Sequence, residues 1–234
     1  MIGASVLRKV PAGVFGLWDT SVGKKAVMAV TGVILYGYLI LHMWGNLKLF
    51  IGASPLNQYA AWLREVGEPL LPREGLLWIV RVVLLASLIL HMLAAYQLTR
   101  MDWAGRPTGY RQRKNVKATY ASLTMRWGGI IIGLFIVFHI LQLTTGTLHP
   151  DFTHDVYRNV VVAFSIWWVD VIYIITMAAV GFHLYHGVWS AFQTLGLNNT
   201  RWNGFWRGLA TVSGLALFLG NSSMPLAVLA GFVR

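Results

Sequence analysis

Apolar residues in this chain gather into five runs, at about 26–47, 76–98, 127–147, 161–191 and 206–232, while most charged residues fall in the connections. A hydrocarbon core about 30 Å thick is crossed by roughly 20 helical residues. Each run is long enough. The pattern predicts an all-α integral membrane protein with five transmembrane helices, the first four forming a bundle. It is one domain over 1–234, with no stretch left over for a separate soluble domain. Residues 1–19 are mixed, with Arg8, Lys9 and interrupting proline and glycine, and predict no cleavable signal peptide.

Composition agrees. Hydrophobic residues make up 56% and charged residues 12%, against about 25% charged in soluble domains. The absence of cysteine excludes disulfides, thiolate metal sites and iron–sulfur clusters held by this chain alone. The net charge of +11 resembles a nucleic-acid footprint until its placement is considered. Of the 19 Lys and Arg, 13 lie in 1–25, 99–126 and 192–207, and five lie in the alternate connections and at the C-terminus. Five of the eight acids, Glu65, Glu68, Glu74, Asp151 and Asp155, accompany the smaller set. This asymmetry predicts a cytoplasmic N-terminus and no nucleic-acid partner. The run Arg106, Arg111, Arg113, Lys114, Lys117 reads as a topology and lipid-headgroup signal, or as a docking surface for a partner.

Four histidines, His42, His91, His139 and His183, lie inside these runs, where an ionisable side chain is costly and usually functional. A faint duplication frames them: Ser21-Val-Gly-Lys-Lys leads to His42, and Ser122-Leu-Thr-Met-Arg leads to His139. The helical rise places His42 roughly 25 Å from the cytoplasmic edge and His139 roughly 20 Å from it. On the returning helices His91 and His183 lie roughly 13 and 15 Å from that edge. The histidines fall into two layers, His42 with His139 and His91 with His183. One inward histidine per helix is what two bis-histidine haem sites require. A proton relay is the rival use. His186, one turn beyond His183, leaves an ambiguity in the fourth position. His149 and His154 read as surface loop residues.

The chain resembles the five-helix, di-haem cytochrome b anchors of succinate:menaquinone oxidoreductase and fumarate reductase (respiratory complex II). The resemblance spans all five helices and is carried by His42-Met-Trp-Gly-Asn-Leu, Asn57-Gln-Tyr-Ala, Leu90-His91-Met, Phe138-His139 and Phe182-His183-Leu-Tyr-His186-Gly187-Val-Trp189. It implies two haems b, a proximal one ligated by His91 and His183 and a distal one by His42 and His139, with Gly187 and Trp189 favouring His183 over His186. It also implies flavoprotein and iron–sulfur partner subunits, a prokaryotic cytoplasmic membrane, menaquinone as the bound substrate, and an oligomer of the whole complex as one assembly. Electrons from succinate would pass through this subunit to the quinone, with no catalysis by the chain alone.

Haem propionates need cations or hydroxyls at a membrane edge. Ser21, Lys24, Lys25, Ser122, Thr124 and Arg126 are candidates at one edge and Arg81 at the other, with Asp170 a candidate ion-pair partner for Arg81. Glycines 32, 37, 45, 128, 129, 133 and 181 allow close approach of helices or a porphyrin. A quinone slot needs hydrogen-bonding groups among aromatics. Trp44, Asn46, Asn57, Gln58, Tyr59, Arg64 and Glu65 form one candidate on the outer side, and Ser21, Lys25, Tyr96, Gln97, Trp189 and Gln193 another on the cytoplasmic side. Residues 63–69 read alternatively as an interfacial helix. The fifth run has no histidine and reads as a packing or lipid-facing helix, distorted near Asn221 and Pro225. The residues also fit an anchor of hydrogenase or formate dehydrogenase type, or a histidine-lined proton-coupled transporter.

Overall fold

The computed structural model describes residue 16, residues 18–105 and residues 120–234, with side chains in the last stretch from 125 onward. Every regular element among them is helical: α1 (Ser21–Asn46), a 3₁₀ turn (Leu47–Ile51), α2 (Ala53–Glu65), α3 (Gly75–Ala104), α4 (Tyr120–Leu143), α5 (Val156–Phe164), α6 (Trp167–Thr194) and α7 (Asn203–Leu229). Five of these, α1, α3, α4, α6 and α7, are long and apolar enough to cross a membrane. The chain has the build of a multi-pass membrane protein. We call the end where α1 starts the near end, and the end carrying α2 and α5 the far end.

The long helices pack in a defined order. α3 lies along α1, α4 along α6, and α1 and α6 meet in the middle. α1 and α4 therefore stand on one diagonal of a four-helix square, and α3 and α6 on the other. α7 sits outside the square in the most extensive contact of all, along α6. Lipid is as apolar as leucine, so such contacts rest on close packing and hydrogen bonds rather than on escape from water. The α6–α7 crossing shows this. A Cβ on Gly214 would stand 2.6 Å from the Gly181 carbonyl oxygen, and one on Gly181 would stand 3.1 Å from that of Gly214. Around this crossing Val180, Leu184, Val188, Ala210 and Leu217 are buried. The Tyr36 and Ser213 hydroxyls, 2.6 Å apart, tie α1 to α7. The fifth long helix is thus a packing helix, and it runs unbroken through the buried Pro225.

Helix ends shift by a few residues, with α3 running on to Ala104 and α4 beginning at Tyr120, and two elements differ from the sequence reading in kind. The apolar run around 161 does not enter the membrane as one helix: α5 ends at Phe164, Ile166 is extended at φ −105°, ψ 103°, and α6 begins at Trp167. A single helix over 156–194 would be roughly 58 Å long, nearly twice the hydrocarbon thickness. Breaking it lets α5 lie across the far end. The interfacial helix is also not at 63–69, because α2 stops at Glu65 and turns follow. At the other end of α4, Gly146 at φ +73° accepts the left-handed conformation that closes the helix.

A polar clasp holds α2 against α5. Asn57 donates to the Asp155 carboxylate (2.9 Å) and accepts from the Tyr157 amide (3.1 Å), while Asp155 caps α5 by accepting from the Arg158 amide (2.9 Å). These bonds, the Arg158 amide first, hold the Asp155 carboxyl below its ordinary value of 3.8. Because the folded value is the lower one, the stabilisation is complete above the ordinary value and is lost as pH falls through the folded one. Hydrogen exchange over residues 156–164, taken relative to the intrinsic rate at each pH, should accelerate across that acid range in the wild type. In Asp155→Ala it should already be fast at neutral pH, a cap loss of about 1 kcal/mol. Unchanged exchange in the variant would remove the clasp's role.

Candidate functional site

His42 lies four residues from the far end of α1, and His139 four residues from the far end of α4. His91 and His183 each lie sixteen residues into helices that start at that end. The rise then separates the two levels by roughly 18 Å. Across one diagonal the His42 and His139 rings face each other at 5.8 Å between centroids, with planes at 89°. Across the other, His91 and His183 stand 6.2 Å apart at 58°. Two imidazoles on opposite faces of one metal, each with a bond of about 2 Å, have centroids roughly 6 Å apart. All four are partly exposed.

The ring nitrogens are sorted. His91 donates from Nδ1 to the Met28 carbonyl (3.0 Å), with the Thr31 hydroxyl 3.4 Å away. His139 Nδ1 meets the Tyr173 hydroxyl (3.0 Å), which in turn donates to Gln142 Oε1 (3.0 Å), so Nδ1–H is the donor here as well. His42 Nδ1 lies 3.3 Å from the Tyr38 hydroxyl. Engaging Nδ1 leaves the Nε2 lone pair for a metal, the pattern of ligating histidines. His183 Nδ1 is buried without a partner. His186 faces Trp189 (6.5 Å) instead of His91.

The near pair is also cleared on its flanks. At that level α1 and α4 present glycines: a Cβ on Gly32 would come 3.3 Å from His91 Cε1, and one on Gly129 3.9 Å from His183 Cε1. Among the described residues no third histidine or carboxylate joins either pair. Two nitrogens are too few for a bare ion, but they complete a metal whose in-plane ligands come from a macrocycle. The donor set, the ring separations and the glycine-lined flanks fit haem.

The remaining candidates are scattered. Lys24 is buried and donates to the Trp18 carbonyl, while Ser21 and Lys25 are exposed. Arg126 pairs with Asp102 (3.2 Å) and lies over Trp103 (5.7 Å). The side chains of Ser122 and Thr124, and the basic run 106–117, lie outside the described residues. Arg81 does not pair with Asp170: it lies over Trp78 (4.8 Å), and both Asp170 oxygens are buried without a partner. His149 is not a surface residue. It is 9% exposed and donates from Nε2 to the Asn159 carbonyl (2.9 Å), while its Nδ1 accepts from the Asp151 amide.

Of the outer quinone candidates, Trp44 and Tyr59 come together edge to face at 5.7 Å, and Tyr59 stacks near Trp62. Lys48, which the sequence reading missed, stands 4.5 Å over Trp44 and 5.3 Å over Tyr59. Its position four residues after Trp44 was the available signal. Asn46 borders this corner as the residue before the 3₁₀ turn, with no side-chain cap bond. Gln58 is bonded to Ser54, Arg64 pairs with Glu74 and Glu65 with Arg73, so these three are engaged on their own segment. At the near end, Trp189 donates to Asn203 (3.0 Å), Tyr96 accepts from Arg100 (3.1 Å), and Gln193 is exposed. Comparison of the chain with protein-family models, curated proteins and solved structures finds no match.

Proposed function

We propose that this chain is the di-haem cytochrome b anchor of a succinate:quinone oxidoreductase, working as the electron-transfer subunit between an iron–sulfur partner and a quinone, with menaquinone the expected one. The observation that carries this reading is the pair of histidine couples on opposite diagonals of one bundle, their rings 5.8 and 6.2 Å apart, a separation that would leave room for a metal between them. His91 and His183 would hold one haem, and His42 and His139 the other. When bound, haem b supplies reversible one-electron chemistry within the membrane.

The chain's own residues do the rest. Met28, Tyr38 and Tyr173 engage Nδ1 of three ligands, and the glycines keep the faces of the near pair clear. Trp44, Tyr59 and Lys48 offer a quinone an aromatic slot with an ammonium donor, beside the far histidine pair. Lys24, Lys25 and Arg126 at the near end and Arg81 at the far end supply positive charge for propionates, Arg126 by giving up Asp102.

The test is a dithionite-reduced minus oxidised spectrum of the purified protein, with haem measured as the pyridine haemochrome. Two haems b per chain are expected, together with co-purifying flavoprotein and iron–sulfur subunits. A folded, colourless chain would reject haem and leave the histidines to proton transfer. Haem without a succinate-oxidising partner would move the chain to another respiratory complex.

A further inference from the structure

The two histidine pairs are oriented by different means. At the near pair, His91 bonds a backbone carbonyl, which no substitution can delete. At the far pair, His139 bonds a side chain, Tyr173, from another helix. Tyr173 is 6% exposed and Gln142 1%, so water does not compete for either group. Phe135 and Phe164 each press edge-on against the Tyr173 ring at 4.8 Å, and Phe138 lies at 6.3 Å, which confines the ring. Its single proton goes to Gln142 Oε1. The phenol oxygen is thereby left as an acceptor, made more electron-rich by the bond it donates.

We propose that Tyr173, supported by Gln142, is the positioning residue of the far site: it fixes the tautomer and orientation of His139 and lowers the reduction potential of the metal held there. The inference rests on the haem reading above. A hydrogen bond accepted from Nδ1–H makes the imidazole a stronger donor through Nε2, and a stronger donor favours the more positively charged, oxidised metal. Removing the acceptor raises the potential. A tyrosine that merely filled the aromatic box would leave it unchanged on replacement by phenylalanine.

The experiment is a potentiometric titration of the purified, haem-loaded full-length protein, with and without Tyr173→Phe, followed by the haem absorbance. Two one-electron midpoints are expected in the wild type. In Tyr173→Phe one should rise by about 59 mV, a tenfold change in the equilibrium constant of a one-electron couple. The other should stay fixed, and haem content should be unchanged. Full haem content with both midpoints unmoved overturns the proposal. If Tyr173→Phe sheds a haem, Gln142→Met decides. There the hydroxyl remains but loses its acceptor, so the same midpoint should rise by less than tenfold in equilibrium constant, and no shift overturns the proposal. A wild-type chain without haem fails differently, by removing the reading on which this rests.

Discussion

Alanine at His183 is expected to give the same haem content and spectrum as alanine at His91, each losing about half of the haem b, because the two rings face each other across one diagonal at 6.2 Å. His42→Ala and His139→Ala should form a second matched set. The double variants carry the sharper information. Combining His91→Ala with His183→Ala should cost no more haem than either alone, since both act on one site. Combining His91→Ala with His42→Ala should remove nearly all of it. Strong non-additivity within a pair and simple addition between pairs is the signature of groups acting as units. If His91→Ala and His42→Ala instead behaved as one site, the diagonal assignment would be wrong. His186→Ala should leave both haems in place, as its ring lies by Trp189.

The second large effect belongs to the α6–α7 crossing. Gly214→Leu is expected to destabilise the protein by about 3 kcal/mol or more, since its Cβ would lie 2.6 Å from a backbone oxygen that cannot rotate away. Gly208→Ala, on the same helix, is the control. A Cβ there meets nothing within 4 Å, and a helical Gly→Ala change should stabilise by roughly 0.5–1 kcal/mol. Thermal unfolding in one detergent, followed by tryptophan emission, would compare the two. Equal midpoints would mean that the helices are not held by this contact.

Depth was legible in the sequence and direction around each helix was not. A run of apolar residues fixes how far along the bilayer normal a histidine lies, because the rise per residue is nearly constant. That is why the two levels, and the partners at each level, follow from spacing once the helices alternate. Which face of a helix meets which neighbour depends on packing between segments far apart in the chain. The Tyr173–His139 contact links residues 34 apart on α6 and α4, and no local pattern announces it. Tyr38, one turn before His42, was open to a local reading. The Arg81–Asp170 pair illustrates the limit. Both residues lie toward the far ends of their helices, yet the arginine turns to Trp78 and the carboxylate stays alone. His149 was hidden for a similar reason, since its partner is a carbonyl brought back by the turn of its own loop. The break between α5 and α6 left no mark in hydropathy, because residues on both sides of it are apolar. Length alone argues for it.

The square of helices also has an order of attachment. α3 is held chiefly along α1 and α4 chiefly along α6, and the Arg126–Asp102 ion pair links α3 and α4 to each other at the near end. The histidine pairs run across the square: one joins α3 to α6 and the other joins α4 to α1. A ligand clamped between paired rings would therefore give each of these outlying helices an attachment across the square. Such a protein would mature in two stages: α1, α6 and α7 would pack first as a spine, and α3 and α4 would be pinned to it as the ligand arrives. A cell short of that ligand would hold chains with a sound spine and two loose helices, and proteolysis of the surplus would begin at the loops flanking α3 and α4.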